Sequence, residues 1–194
     1  MSRSNSERTR MTRQALIEAA RRLFVEKGYA ETATPDIVAA AGVTRGALYH
    51  HFEDKRALFR AVAEQEAAAV SADIERQAMT ARTARDALLF GARAYFDAMQ
   101  VEGRTRLLLL DAPAVLGAAE AAGLDAREAE SALRAGLGDY LRGTEAEALL
   151  TPLTGLLSAA FDRAALAIEA GEDRAAQEAA IALVIDGLGG EFRR

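Results

Sequence analysis

Apolar residues recur at helical spacing along most of the chain. Near its start, Leu16, Ala20 and Phe24 fall four positions apart, with charged residues between them. This spacing predicts an amphipathic helix over about residues 12–27 that ends at Gly28, which can take the left-handed conformation. The β-branched runs with period-two alternation that indicate strands are absent from the sequence. The pattern therefore predicts an all-α protein of about nine helices.

Three further helices follow, each with its own start signal. Residues 34–36 combine a threonine cap, a proline at the first helical position and a carboxylate in the first turn, and this short helix must end before Gly42. Thr44 is predicted to cap a third helix over residues 45–50. Asp54 is predicted to cap a longer fourth helix.

The second and third of these helices are joined by Ala-Gly-Val-Thr at residues 41–44. The glycine permits a tight turn, and Val43 can fill the angle between the helices. A helix-turn-helix unit of this kind places the start of its second helix in the major groove of DNA. Helical hairpins also form for packing alone, so the pattern leaves open both a DNA-binding module and a protein-interaction module.

The rest of the chain has the pattern of a helical bundle. We predict helices near residues 84–99, 125–141, 146–170 and 173–188. An apolar run at residues 107–112 is expected to be broken by Pro113. The boundary between the N-terminal head, which carries the helix-turn-helix, and the bundle falls inside the fourth helix. We predict a DNA-binding domain over residues 10–70 and a ligand-binding and dimerisation domain over residues 71–194.

Charge also differs between the first 60 residues and the rest of the chain. The net charge is −5, but residues 1–60 carry 11 Lys/Arg against 7 Asp/Glu, while the remainder carries 13 against 22. A basic head on an acidic body favours contact between the head alone and a polyanion.

Composition excludes several other functions. There is no cysteine, which excludes disulfides and zinc–thiolate sites. No apolar stretch approaches the length of a membrane span, and the N-terminus lacks the apolar centre of a secretory signal, so a cytoplasmic protein is expected. His50 and His51 are adjacent and point about 100° apart on a helix. We therefore expect no metal, no cofactor and no enzymatic activity.

Residues 12–69 resemble the tetracycline-repressor (TetR) family of bacterial regulators. The matching positions are Ala19, Phe24, Gly28, Tyr29, Thr34, Ile37, residues 40–44, Gly46, residues 48–52, Asp54, Lys55 and Leu58. Residues 107–117 are also similar to a segment of one group of TetR C-terminal domains. The resemblance implies a three-helix DNA-binding domain, a helical domain that binds an inducer and forms a homodimer, and repression of a palindromic DNA operator that an unknown small molecule relieves.

The resemblance also implies which residues meet DNA. The recognition helix would contribute Thr44, Arg45, Gly46, Ala47, Tyr49 and His50. Arg45 is the candidate for reading guanine, because a guanidinium can donate two hydrogen bonds to its O6 and N7. Tyr49, His50, Lys55 and Thr34 would contact phosphates. Pro35 and Ala47 depart from the family pattern, so DNA shape is expected to carry a larger share of recognition.

Candidate residues in the bundle are apolar. An inducer cavity could be lined by Phe90, Tyr95, Phe96, Met99, Leu107, Leu110, Leu153, Leu157 and Phe161, or these residues could simply fill a core. A dimer interface on the last two helices is predicted to use Leu153, Leu156, Ala160, Ala164, Ile181, Val184 and Leu188. Arg93 and Asp97 are expected to form an exposed i,i+4 ion pair, the alternative being polar groups that face a pocket.

Two functions remain open at this stage. The first is a dimeric, ligand-responsive repressor whose two recognition helices lie about one DNA turn, roughly 34–36 Å, apart. The second is a helical interaction module without sequence-specific DNA binding. For the first, we expect a ligand behind Phe96 and Leu110 to push residues 107–117 against the fourth helix and swing the head; the alternative is that Pro113 only starts a short helix.

Overall fold

The computed structural model describes residues 5–78, 81–125 and 129–189. Over these ranges the chain is helical and forms no strand, which confirms the all-α prediction. The helices are α1 (Asn5–Glu31), α2 (Thr34–Ala41), α3 (Arg45–His51), α4 (Lys55–Ala78), α5 (Ala84–Met99), α6 (Arg104–Arg106), α7 (Ala112–Leu116), α8 (Ala118–Asp125), α9 (Ala129–Leu141), α10 (Leu150–Glu169) and α11 (Arg174–Gly189). A π-helical turn, Leu107–Asp111, joins α6 to α7, and a 3₁₀ turn, Glu145–Leu149, precedes α10. Residues 104–116, from α6 through α7, form one continuous helical stretch, and counted this way the prediction of about nine helices missed only α8 among the described residues.

The helix-turn-helix forms as predicted, with local signals at its turn. Gly42 takes the left-handed conformation at φ 66° and its N–H donates to the carbonyls that end α2. The hydroxyl of Thr44 accepts a hydrogen bond from the N–H of Ala47, which caps α3. The carboxylate of Asp54 likewise accepts from the N–H of Ala57 at the start of α4.

Two of the predicted helix ends differ in detail. Gly28 has positive φ but an extended ψ of 163°, and α1 resumes for one more turn. The hydroxyl of Thr32 donates to the Gly28 carbonyl at 2.7 Å, which closes this bend. Ala33, not Thr34, occupies the N-cap of α2, so the side chain of Thr34 makes no cap hydrogen bond and is available for other contacts.

Pro113 does not break the helix, which corrects the prediction. The chain stays helical from α6 through α7 because the backbone widens into the π-turn, where the N–H of Ala112 donates to the carbonyl of Leu107. A proline lacks an N–H and clashes with the preceding turn of an α-helix, and a single π-turn accommodates it. Pro113 lies in the first turn of α7, as the alternative expected, and Gly117 ends that helix.

Helix α4 belongs to both halves of the molecule. Its first half packs Leu58 and Phe59 into the core of the head with Phe24 of α1, and its second half places Val70 in the core of the bundle. The core of the head also takes in Leu107 and Leu116, which lie beyond the predicted boundary. The division at residue 70 stays a prediction, and residues 190–194 of the second predicted domain lie outside the described residues. No described helix is long and apolar enough to cross a membrane.

Candidate nucleic-acid interface and ligand cavities

Helix α3 presents one polar face to solvent. Thr44, Arg45, Gly46, Tyr49 and His50 are exposed and Ala47 is half-buried. The opposite face of the helix is anchored by Leu48, which is fully buried. The fold therefore brings the predicted recognition residues together on a single surface.

Arg45, Tyr49 and Thr34 form a cluster that spans α2 and α3. The guanidinium carbon of Arg45 lies 5.5 Å from the ring centre of Tyr49, within cation–π range. Hydrogen bonds with Thr34 and with Arg45 lower the pKa of the Tyr49 phenol. The cluster holds three hydrogen-bonding side chains side by side across the two helices of the helix-turn-helix.

Gly46 lies in the first turn of α3 with open space outside it. A Cβ at this position would meet only the Thr44 hydroxyl, at an ordinary 3.9 Å. Packing within the described residues therefore does not require glycine, although glycine in a helix costs about 1 kcal/mol relative to alanine. The small residue leaves the helix surface flat where another molecule would approach.

Lys55 differs from its predicted role. Its ammonium group donates to the carbonyl oxygens of Tyr29 at 2.8 Å and Thr32 at 3.0 Å, and more weakly to that of Ala30. It also lies 4.3 Å from the ring centre of Tyr29. An ammonium has three donors, and the end of α1 occupies them. The structure thus conflicts with a free phosphate clamp at Lys55, which instead fastens α4 to the end of α1.

The bundle contains two neighbouring cavities. The α9-side cavity, of about 250 Å³, lies between α5, α9 and α10 and is lined by Tyr95, Glu130, Phe161 and Asp162 among mostly aliphatic residues. The α8-side cavity, of about 260 Å³, lies between α4, α5, α7, α8 and α10. Tyr95 and Asp162 line both, so this pair is the wall between them.

The predicted cavity residues divide into three groups. Tyr95, Met99 and Phe161 line one or both cavities. Phe96, Leu107 and Leu157 are buried in the cores and half-buried Leu153 packs against one, and none of the four lines either cavity. Half-buried Phe90 lines neither, and Leu110 is 50% exposed because the π-turn directs Leu108 and Leu109 toward the α8-side cavity instead. Phe96 and Met99 also line a separate cavity of about 320 Å³ between α5, α6 and α10, so a ligand site behind Phe96 stays a prediction, whereas the exposed Leu110 lines none of these three cavities.

Sequence reasoning missed Asp162, the acidic residue of the cavity wall. The hydroxyl of Tyr95 donates to its carboxylate at 2.6 Å. Burial raises the pKa of Asp162, and the hydrogen bond from Tyr95 lowers it less, so the pKa is raised overall. An acidic residue directly after Phe161 in an Ala- and Leu-rich helix was the available signal.

Charged contacts that the sequence did not indicate join the head to the bundle. Glu66 of α4 is buried and accepts hydrogen bonds from Arg21 of α1 at 2.9 Å and from Arg104 of α6 at 2.8 Å. Burial would raise the pKa of Glu66, but the two guanidinium groups lower it overall. Nearer the start of α4, Arg56 donates to the carbonyls of Val115 and Leu116 and pairs with Glu120 of α8.

Arg93 and Asp97 do not pair with each other. Arg93 lies 3.6 Å from Glu178 and Asp97 lies 2.7 Å from Arg174, so both residues bind α11. Arg174 and Glu178 also pair along α11. The predicted local pair is thus replaced by a four-residue network between two helices.

The predicted dimer residues fall into exposed and internal sets. Leu156 and Val184 are exposed, at 68% and 49%, while Leu153, Ala160 and Leu188 are half-buried against the core. Ala164 and Ile181 are buried inside the protomer and cannot meet a partner directly. Leu183, which sequence reasoning missed, is 74% exposed beside Val184. The exposed apolar surface on α10 and α11 therefore consists of Leu156, Leu183 and Val184 rather than of the full predicted set.

This combination of a helix-turn-helix head and a cavity-bearing helical body defines a class of DNA-binding regulators, and comparisons with known proteins agree. Residues 16–62 match the family described as bacterial regulatory proteins, tetR family, and residues 85–190 match the tetracyclin repressor-like C-terminal domain. A crystal structure of a TetR-family transcriptional regulator from Pectobacterium atrosepticum is 33% identical, with a TM-score of 0.71 over 96% of this chain and 95% of that one. The chain belongs to the TetR family.

Curated relatives match over shorter stretches. The HTH-type transcriptional regulator AcrR of Shigella flexneri is 44% identical over 64 residues, which cover 33% of this chain and 30% of AcrR. The HTH-type transcriptional repressor AcnR of Corynebacterium diphtheriae is 45% identical over 65 residues, 34% of each protein. The matches thus span about a third of the length of these relatives.

Proposed function

We propose that the protein is a ligand-responsive transcriptional repressor that binds a palindromic DNA operator as a homodimer. The observation that carries the proposal is the exposed face of α3, on which Arg45, Gly46 and Tyr49 lie together in a helix-turn-helix of the TetR family. We further propose a cytoplasmic location and no catalytic activity, metal or cofactor, since regulators of this family are not enzymes.

Each exposed residue has a proposed role at the DNA. Arg45 reads a base in the major groove. Tyr49, His50 and Thr34 position the backbone through phosphate contacts. Thr44 and the half-buried Ala47 complete the contact surface, and Gly46 allows close approach. Lys55 supports this surface by holding the end of α1, which precedes α2.

Dimerisation sets the spacing of the two heads. The exposed leucines and valine of α10 and α11, Leu156, Leu183 and Val184, form an apolar surface that a second copy would bury in a two-fold symmetric interface. Two recognition helices about 34–36 Å apart would then fit successive major grooves.

The proposed ligand response follows the contacts between cavity and head. Ala112 and Pro113 of α7 line the α8-side cavity, and the carbonyls that end α7 bind Arg56 in the first turn of α4. A ligand that moves α7 therefore moves α4 and the head with it. It shifts DNA affinity only by its preference for one arrangement, typically about 1–3 kcal/mol.

A gel-shift titration tests the proposal. Duplex DNA from the region flanking the gene is compared with a shuffled duplex of the same composition, each with full-length protein and with Arg45→Ala. Preference for the flanking DNA that Arg45→Ala reduces supports the repressor. Equal affinity for both duplexes would favour the alternative of an interaction module without sequence-specific binding.

A further inference from the structure

We infer that the ligand of this protein is an organic cation with an apolar group, bound in the α9-side cavity with its positive charge against the carboxylate of Asp162. The inference rests on the proposed function, since it names the chemical class of the ligand to which the repressor responds. Asp162 and Tyr95, which would hold the ligand, also line the α8-side cavity with Ala112 and Pro113 of α7. It follows from the composition of the cavity wall and from the pairing of the acidic residues around it.

The α9-side cavity has negative and aromatic groups but, among its described lining residues, no positive one. Its only charged lining residues in the described part of the chain are Glu130 and Asp162, on α9 and α10. The rings of Tyr95 and Phe161 line the same space, with centroids 6.0 Å apart. Carboxylates with aromatic faces attract a cation through charge and through the ring quadrupoles. The same wall would repel an anion.

Asp162 lines the cavity without a cationic partner, unlike the buried Glu66 and the half-buried Glu178. Each of those two residues pairs with one or more arginines. Asp162 receives a hydrogen bond from the neutral hydroxyl of Tyr95, and no ion pair to it is found among the described residues. A charge withdrawn from water without a counter-charge is costly, and a bound cation would remove that cost.

A matched pair of probes isolates the charge. Phenyltrimethylammonium and tert-butylbenzene have nearly the same shape, and only the first is charged. Affinities of both are measured by calorimetry or by competition with full-length protein, for the wild type and for Asp162→Asn. We expect the wild type to prefer the cation and Asp162→Asn to weaken it by about tenfold or more, with tert-butylbenzene changed less than about twofold.

Two control variants keep the test specific. Asp139→Asn removes one carboxylate from an exposed position on α9, and we expect it to leave both affinities unchanged. Asp162→Glu keeps the charge and is expected to retain the preference for the cation. Circular dichroism of each variant verifies that it is folded.

The outcomes separate this inference from the proposed function. If the wild type binds phenyltrimethylammonium no better than tert-butylbenzene, or if Asp162→Asn weakens both equally, the inference is wrong. A gel shift with the same proteins reports DNA binding independently, and Asp162→Asn is expected to bind DNA as the wild type does. If the wild type does not bind DNA sequence-specifically, the proposal that it is a repressor is wrong, but the proposed cation site is not affected.

Discussion

The guanidinium of Arg56 donates a hydrogen bond of 2.9 Å to the carbonyl oxygen of Leu116, the last residue of α7. It also reaches the carbonyl of Val115 at 3.3 Å. The last carbonyls of a helix have no partner within that helix, so one side chain of α4 caps the helix that forms part of a cavity wall. This contact connects the wall of the α8-side cavity to the DNA-binding head.

Replacing Arg56 should uncouple ligand binding from DNA binding. In Arg56→Met the side chain keeps an apolar stem but donates no hydrogen bond to α7. We therefore expect DNA affinity to persist, and the ratio of DNA affinities without and with ligand to fall toward one. The measurement is DNA affinity by fluorescence anisotropy with and without a saturating cavity ligand. Arg60→Met is the control, because Arg60 pairs with Glu64 and Glu120 but makes no hydrogen bond to α7. Full ligand response in Arg56→Met would contradict this route.

Gly46→Ala should separate stability from DNA binding. Alanine has the higher helix propensity, and its Cβ finds open space, so the free energy of unfolding should rise by about 0.5–1 kcal/mol. The added methyl stands on the surface that approaches DNA, so affinity for specific DNA should fall. Urea denaturation and anisotropy check the two effects. A more stable protein with unchanged DNA affinity would show that α3 does not approach DNA through Gly46.

The replacement Lys55→Met distinguishes a structural lysine from a phosphate-binding one. Loss of the hydrogen bonds to the end of α1 leaves partly buried carbonyls unsatisfied, so we expect a loss of about 1–3 kcal/mol in the free energy of unfolding. The salt dependence of DNA binding should keep its slope. If stability is unchanged and the slope falls by about one, Lys55 binds phosphate after all.

The ion pairs of Glu66 with Arg21 and Arg104 should make the free energy of unfolding depend on pH. Because the folded-state pKa of Glu66 is lowered, its stabilising contribution is present above the unfolded pKa of about 4.3 and is lost as pH falls through the folded value. Glu66→Gln leaves two guanidinium groups without their carboxylate and should cost about 3 kcal/mol at pH 7. The cost should shrink in acid. Exposed Glu64→Gln is the control and should change stability by less than about 1 kcal/mol at either pH.

Local signals account for what the sequence predicted well. The cap at Thr44, the left-handed Gly42 and the cap at Asp54 act on neighbouring backbone groups, so they can be identified without knowing what packs against the helix. The start of α5 follows for the same reason, since Thr83 caps it.

Contacts between distant parts of the chain account for what could not be predicted. Glu66 meets Arg104 across 38 positions, and Asp162 meets Tyr95 across 67. Nothing in the local sequence separates these acidic residues from those on solvent-facing helices. Lys55 was assigned from its position at a helix start, whereas its ammonium binds carbonyls 23 and 26 positions earlier. Tertiary packing decided each of these roles.

Helix α3 is proposed to read DNA sequence in a two-fold symmetric complex. Selection from a pool of duplexes with a randomised central region, using full-length protein and sequencing after several rounds, tests it most directly. We predict enrichment of a palindrome, with one symmetric base pair whose preference Arg45→Ala relaxes at a cost of about 1–3 kcal/mol in binding. A pool that stays random, bound equally by wild type and Arg45→Ala, would contradict the account.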